Sequence, residues 1–154
     1  MFWIAALLIL PGMPVVPVAE PLPIEDLAVW RAWGEAYHQK QEPEKAVEVF
    51  ERILRTNPRD VQTLRAAVQA WNAAGEHGRA ETRARELVRL RPFDAEAHYW
   101  LGLTLVMGKR SPESALHHLR QAAEDVPLAR LEISRILLER GQYDEATREL
   151  RQLK

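Results

Sequence analysis

The sequence predicts an all-α fold: a solenoid of antiparallel helix pairs, about four pairs long. Three observations lead there. Anchors recur at one interval, since Pro58 and Pro92, Asp60 and Asp94, and Ala46 and Ala80 each stand 34 residues apart, and Pro127 follows Pro92 by 35. Each interval holds two amphipathic stretches, each long enough for about three or four helical turns. No stretch alternates apolar and polar residues for long enough to read as a strand. A fixed period of this size marks stacked helical units, none of which can bury its own apolar face alone.

Taken in order, the chain opens with residues 1–19, which carry no charged side chain and include the apolar run Phe2 to Leu10. The length of the run and the small Ala19 before Glu20 suit a signal peptide, whereas the absence of a basic start argues against one, Arg31 being the first cation. Pro11, Gly12, Pro14 and Pro17 interrupt the roughly 20 residues that a spanning helix needs. The expectation is export or a membrane anchor in a bacterial envelope. The alternatives are a segment packed on the repeat body or a mis-assigned start, in a cytoplasmic protein. Residues 20–24 contain Glu20-Pro21-Leu22-Pro23 and read as a stiff linker. Residues 25–154 form the repeat domain, with units at about 27–60, 61–94, 95–127 and 127–154.

Punctuation between helices follows from backbone chemistry. Asp60 and Asp94 stand where a carboxylate can take the free N–H groups of the next helix, and Pro58 and Pro92 precede them where a helix must stop. Pro43 and Pro112 suit a first helical turn, Pro112 directly after a capping Ser111. Gly75, Gly108 and Gly141 lie near the ends of first helices, where a left-handed residue lets the chain reverse. The fourth unit is compressed, so its first helix must start almost at Pro127.

These residues carry a resemblance. Trp30-x2-Trp33-Gly34-x2-Tyr37, then Ala46-x3-Phe50, then Pro58, resembles the tetratricopeptide repeat signature, with Trp33 in place of the usual Leu. The second unit keeps Leu64, Ala67, Trp71, Ala80, Ala84, Leu87 and Pro92; the third keeps Leu101-Gly102, Leu105, Ala115, Leu119, Ala122 and Pro127, with one extra residue near Lys109-Arg110. The fourth keeps Ile133, Leu137, Gly141, Tyr143, Ala146 and Leu150. The resemblance covers about residues 25–154 and implies a right-handed α-solenoid whose first helices line a concave groove and whose second helices form the outer surface. It also implies a protein-binding scaffold rather than an enzyme.

The groove is expected to expose first-helix side chains that packing does not use. These are Arg31, Glu35, His38 and Gln39 in unit one, Gln62, Arg65, Gln69 and Asn72 in unit two, and Tyr99, Trp100, Leu103 and Met107 in unit three. The surface so defined changes from polar to apolar along the chain. The stretch from Ala97 to Met107 is apolar nearly all round, so it is either covered by unit four or the N-terminus, or has a face waiting for a partner. Members of the family that grip a C-terminal carboxylate use Lys, Asn and Arg on successive first helices. Here Glu35 intrudes, and Tyr99 and Leu103 stand where bases would, so that clamp is not expected.

Composition narrows the function classes. The formal net charge of −1 gives no electrostatic reason to expect nucleic acid, and the Trp/Tyr packing signature argues against an RNA-binding array resembling the pentatricopeptide family. With no cysteine there is no thiolate metal site or thiol nucleophile. His117 and His118 are adjacent and diverge by about 100° on a helix, and no metal-binding His motif, phosphate loop or nucleophile elbow occurs. His38, His77, His98, His117 and His118 are read as surface or groove residues, and Arg83, Arg85, Lys109 and Arg110 as solvated. No catalytic residue, metal or cofactor is expected. The expected partner is a protein or peptide; a narrower expectation is an envelope assembly factor similar to the repeat subunit of cytochrome c maturation machinery. At the C-terminus Leu150 and Leu153 remain partly open, which would suit a homodimer through that helix.

Overall fold

The computed structural model describes residues 27–153, and among them eight α-helices and no strand occur. The expected leader, 1–19, and linker, 20–24, lie outside the described residues. The helices are α1 (Leu27–Gln39), α2 (Pro43–Thr56), α3 (Val61–Ala73), α4 (His77–Leu90), α5 (Ala95–Met107), α6 (Pro112–Ala122), α7 (Leu128–Glu139) and α8 (Tyr143–Arg151). None is long and apolar enough to cross a membrane. Each helix packs on the next, and odd-numbered helices also touch the next odd-numbered one. The odd helices therefore form the tighter, inner layer of a curved stack, and the even helices the outer layer.

Caps start the helices where the punctuation placed them. The Asp60 carboxylate accepts from the N–H groups of Gln62 and Thr63, and Asp94 from that of Glu96. Pro43 and Pro112 occupy first turns, and Ser111 accepts from the N–H of Ser114 at 3.4 Å. Within every pair, the first helix ends in the same two-bond turn. Glu42 N–H reaches the Tyr37 carbonyl and Gln41 N–H that of His38; the same bonds join Glu76 to Trp71, Arg110 to Leu105 and Gln142 to Leu137. This 6→1 plus 5→2 pattern needs one left-handed residue. Gly75 and Gly141 supply it at φ 77° and 75°, but Gln41 and Lys109 do so in the other pairs, at 60° and 52°. Gly108 was expected in that role and does not have it: it is right-handed at φ −76°, and the bend falls one residue later. The extra residue of unit three adds a second strained position, Ser111 at φ 20°.

Packing inside the first three pairs rests on matched sizes. A Cβ on Gly34 would stand 2.7 Å from Cζ of Phe50, and one on Gly102 would stand 2.7 Å from Cγ of Leu119. In the second unit the equivalent positions, each 34 residues on from Gly34 and Phe50, are Val68 and Ala84, both fully buried. A small residue on the first helix thus faces a large one on the second, and in the middle unit the order is reversed. Phe50, Leu87, Tyr37 and Trp71 are among the large side chains buried in this interior. The two buried clusters share Val88 at their edges, so the interior runs from Leu27 to Ala146.

Candidate partner-binding groove

Helical spacing of i, i+4, i+7 puts one stripe from each odd helix on the concave side. The stripes are Arg31, Glu35 and His38 on α1; Arg65 and Gln69 on α3, with Asn72 in register but turned inward; Tyr99, Leu103 and Val106 on α5; and Leu131, Arg135 and Leu138 on α7. The first three repeat at 34 residues. Glu35, His38, Gln39, Gln62, Arg65 and Gln69 surround one cavity of about 480 Å³, with Phe50 and Ala66 completing its wall. Tyr99, Trp100 and Leu103 are half-buried on α5, and Met107 is 40 % exposed. Tyr99 and Trp100 meet edge to face at 5.3 Å. Burial, and then the nearby Glu132 carboxylate, push the Tyr99 hydroxyl pKa up.

The groove arginines of α1 and α3 are engaged within the protein. Arg31 bonds Asp60 at 2.5 Å, Gln62 at 2.7 Å and Thr63 at 3.2 Å. Arg65 repeats the device with Asp94 at 3.6 Å and Glu96. Each arginine therefore ties its own helix to the residue that caps the next odd helix. The Asp60 pKa is held down despite its burial, by hydrogen bonds from Arg31 and Thr63. The tie ends at unit three, where Tyr99 stands for the arginine and Pro127 precedes α7. The signal for these ties lay in the shared 34-residue spacing of Arg31/Arg65 and Asp60/Asp94.

Asn72 was expected to face the groove and does not. It is buried, donates to Thr104 Oγ1 at 2.8 Å and stands 3.3 Å from His77 Nδ1, joining α3 to α5 and α4. Its place follows from polarity, because a carboxamide pointing inward between helices must find partners there.

His98, read from the sequence as a surface or groove residue, is also buried. Its Nε2 lies 3.0 Å from the Pro92 carbonyl, and its Nδ1 lies 2.9 Å from Nδ1 of His118. The carbonyl can only accept, so Nε2 of His98 carries the proton and its Nδ1 accepts from His118. Burial first, then the neighbouring His98, His117 and Arg85, push the His118 pKa down to about 4. Position 98 is the repeat equivalent of Trp30 and Leu64, both core residues, and that equivalence is the signal for its burial.

Arg83, read as solvated, instead spans α2 and α4 by two bonds to Glu51 at 2.9 and 2.5 Å. Glu51 also accepts from Trp71 Nε1 at 3.0 Å. These bonds hold the Glu51 pKa down against its burial. The pair forms part of the wall of a larger cavity of about 770 Å³ in the outer layer. Among the described residues no cluster of three or more His, Cys, Asp or Glu could hold a metal.

The apolar half of the groove is extended by unit four and not capped by it. α7 packs on α5 yet leaves Leu131 and Leu138 outward, at 42 % and 46 % exposure. Polar walls thus lead, helix by helix, to an aromatic and aliphatic surface. Sequence profiles described as tetratricopeptide repeat match residues 27–70, 65–115 and 105–153, and so span every described helix. The chain belongs to the tetratricopeptide repeat family. Its solenoid is similar to that of a tetratricopeptide repeat protein from Parabacteroides merdae, at TM-score 0.75 and 21 % identity, over 87 % of this chain and 53 % of that one. It is also similar to the first tetratricopeptide domain of Spaghetti (RPAP3) bound to the HSP90 peptide SRMEEVD, at 0.71 and 14 %, over 79 % and 98 %. YrrB, a tetratricopeptide protein with an unusual peptide-binding site, matches at 0.67 and 21 %, over 81 % and 66 %. At these identities the likeness shows the fold. No curated protein matches the chain.

Proposed function

We propose that this tetratricopeptide chain is an adaptor that holds a protein or peptide segment along its concave groove. One observation carries the reading. The inner layer leaves Tyr99, Trp100 and Leu103 partly exposed on α5, and Leu131 and Leu138 exposed on the adjacent α7. Large aromatic side chains beside half-exposed aliphatic ones are the anchors on which binding energy concentrates. The peptide-bound state of the Spaghetti domain and the peptide-binding site of YrrB support it by analogy of fold. Membrane tethering, envelope placement and a homodimer through α8 are narrower proposals that rest on sequence composition alone.

A photo-crosslinking amino acid at Leu103, compared with one at the outer-layer Gln121, tests the reading in cells. The expected result is a defined crosslinked partner from position 103 that is absent from position 121 and lost in Trp100→Ala. Equal labelling from both positions would refute the groove as the binding face.

A further inference from the structure

We infer that the groove takes a basic segment with apolar anchors: one or two Lys or Arg side chains against the α1–α3–α5 wall, and aliphatic or aromatic side chains on α5 and α7. The inference rests on the proposed function and adds the chemistry of the occupant.

Charge decides it. Arg31 is matched by Asp60, but Arg65 faces two carboxylates, Asp94 and Glu96, and Arg135 also faces two, Glu132 and Glu139. Glu35 makes no ion pair among the described residues and lies on the wall of the 480 Å³ cavity. Each group of charges along this face is thus neutral or one carboxylate in excess. A ligand carboxylate would meet an excess of carboxylates on this face, because each arginine it could approach, Arg31, Arg65 or Arg135, already faces one or two of them. Asp60 is largely buried and also caps α3, so its release from Arg31 would leave a carboxylate stranded in the wall. A ligand ammonium or guanidinium displaces nothing at Glu35, which is exposed and has no ion pair among the described residues.

Distance sets the length of the segment. Three steps between neighbouring inner helices, at about 8–10 Å each, separate α1 from α7. An extended peptide at about 3.3 Å per residue covers that in roughly eight or nine residues.

The test is a random 12-residue phage-displayed library panned on the full chain in low salt, followed by fluorescence polarisation with the synthetic consensus peptide. Recovered peptides are expected to be net positive with at least two large apolar residues. Glu35→Gln is expected to weaken the consensus peptide about two- to fivefold, the range of a single exposed ion pair. Raising NaCl from low to about 0.5 M is expected to weaken it further, as screening shortens the range of the attraction. Leu103→Asp and, on a different helix, Leu131→Asp are each expected to weaken it about tenfold or more, with unchanged helical circular dichroism. A net-negative consensus, or affinity indifferent to Glu35→Gln and to salt, overturns this inference and leaves the groove reading standing. No enrichment over a blank surface with the folded chain overturns both.

Discussion

The size-matched pairs inside each unit make a swap the sharpest test of the packing. Phe50 is 1 % exposed, and its ring lies where a Gly34 Cβ would be. Phe50→Ala alone removes a full aromatic ring from the interior and is expected to cost about 3–5 kcal/mol. Gly34→Val alone puts Cβ, with its two methyl groups, within 2.7–2.9 Å of Cζ and Cδ1 of that ring. Overpacking of this kind costs about 1–3 kcal/mol, less a few tenths recovered because Val is a better helix former than Gly. If the two effects were independent, the double variant would lose roughly 4–8 kcal/mol. They are not independent, because the valine methyls enter the space the ring vacates. The double variant also reproduces the second unit, where Val68 and Ala84 occupy these positions without exposed surface. A favourable coupling of about 2 kcal/mol is therefore expected. Urea unfolding followed by far-ultraviolet circular dichroism and by tryptophan fluorescence measures it, provided the slopes of all four proteins agree. Additivity within about 0.5 kcal/mol would refute the claim that these positions trade volume directly.

Two further outcomes follow from backbone and titration chemistry. Lys109 holds a left-handed φ of 52°, a conformation that costs a side-chain-bearing residue about 1 kcal/mol; Lys109→Gly is expected to raise stability by a good part of that in urea unfolding. His118 has its pKa lowered from 6.5 to about 4, so the unfolded chain takes up its proton first as the pH falls. Its contribution is complete above pH 6.5 and drains away between 6.5 and 4. The ring is partly exposed to solvent, so the loss is set at about 1–2 kcal/mol rather than the roughly 3 kcal/mol of full linkage. Urea midpoints at pH 7.5 and 4.5 read it, and His118→Gln is expected to flatten that difference.

The fold was legible because its signals are local and repeated. Asp60 and Asp94 announce helix starts through a side chain that can do little else at that place, and the 34-residue interval turns single weak signals into an aligned set. The reversal of the chain was harder to place. Glycine is the usual left-handed residue, so Gly108 drew the turn to itself. The two hydrogen bonds that close the turn depend on the count of residues after the helix and not on residue type, and that count selects Lys109.

The groove was legible only in outline, for a reason that lies in how polar side chains are used. Spacing shows which residues share a face but not whether a charged or carboxamide group already has a partner. Arg31 and Arg65 reach across to Asp60 and Asp94 because the solenoid brings each helix start beside the previous inner helix. Asn72 turns inward because Thr104 waits 32 residues on. Apolar groove residues have no such internal outlet once the core is full, so Leu131 and Leu138 remain outward. The ties that hold the first three inner helices in register thereby occupy Arg31 and Arg65 on the proposed binding face. Carboxylates stay in excess there, so under the proposed basic ligand the same contacts that stiffen the array would also disfavour an acidic partner.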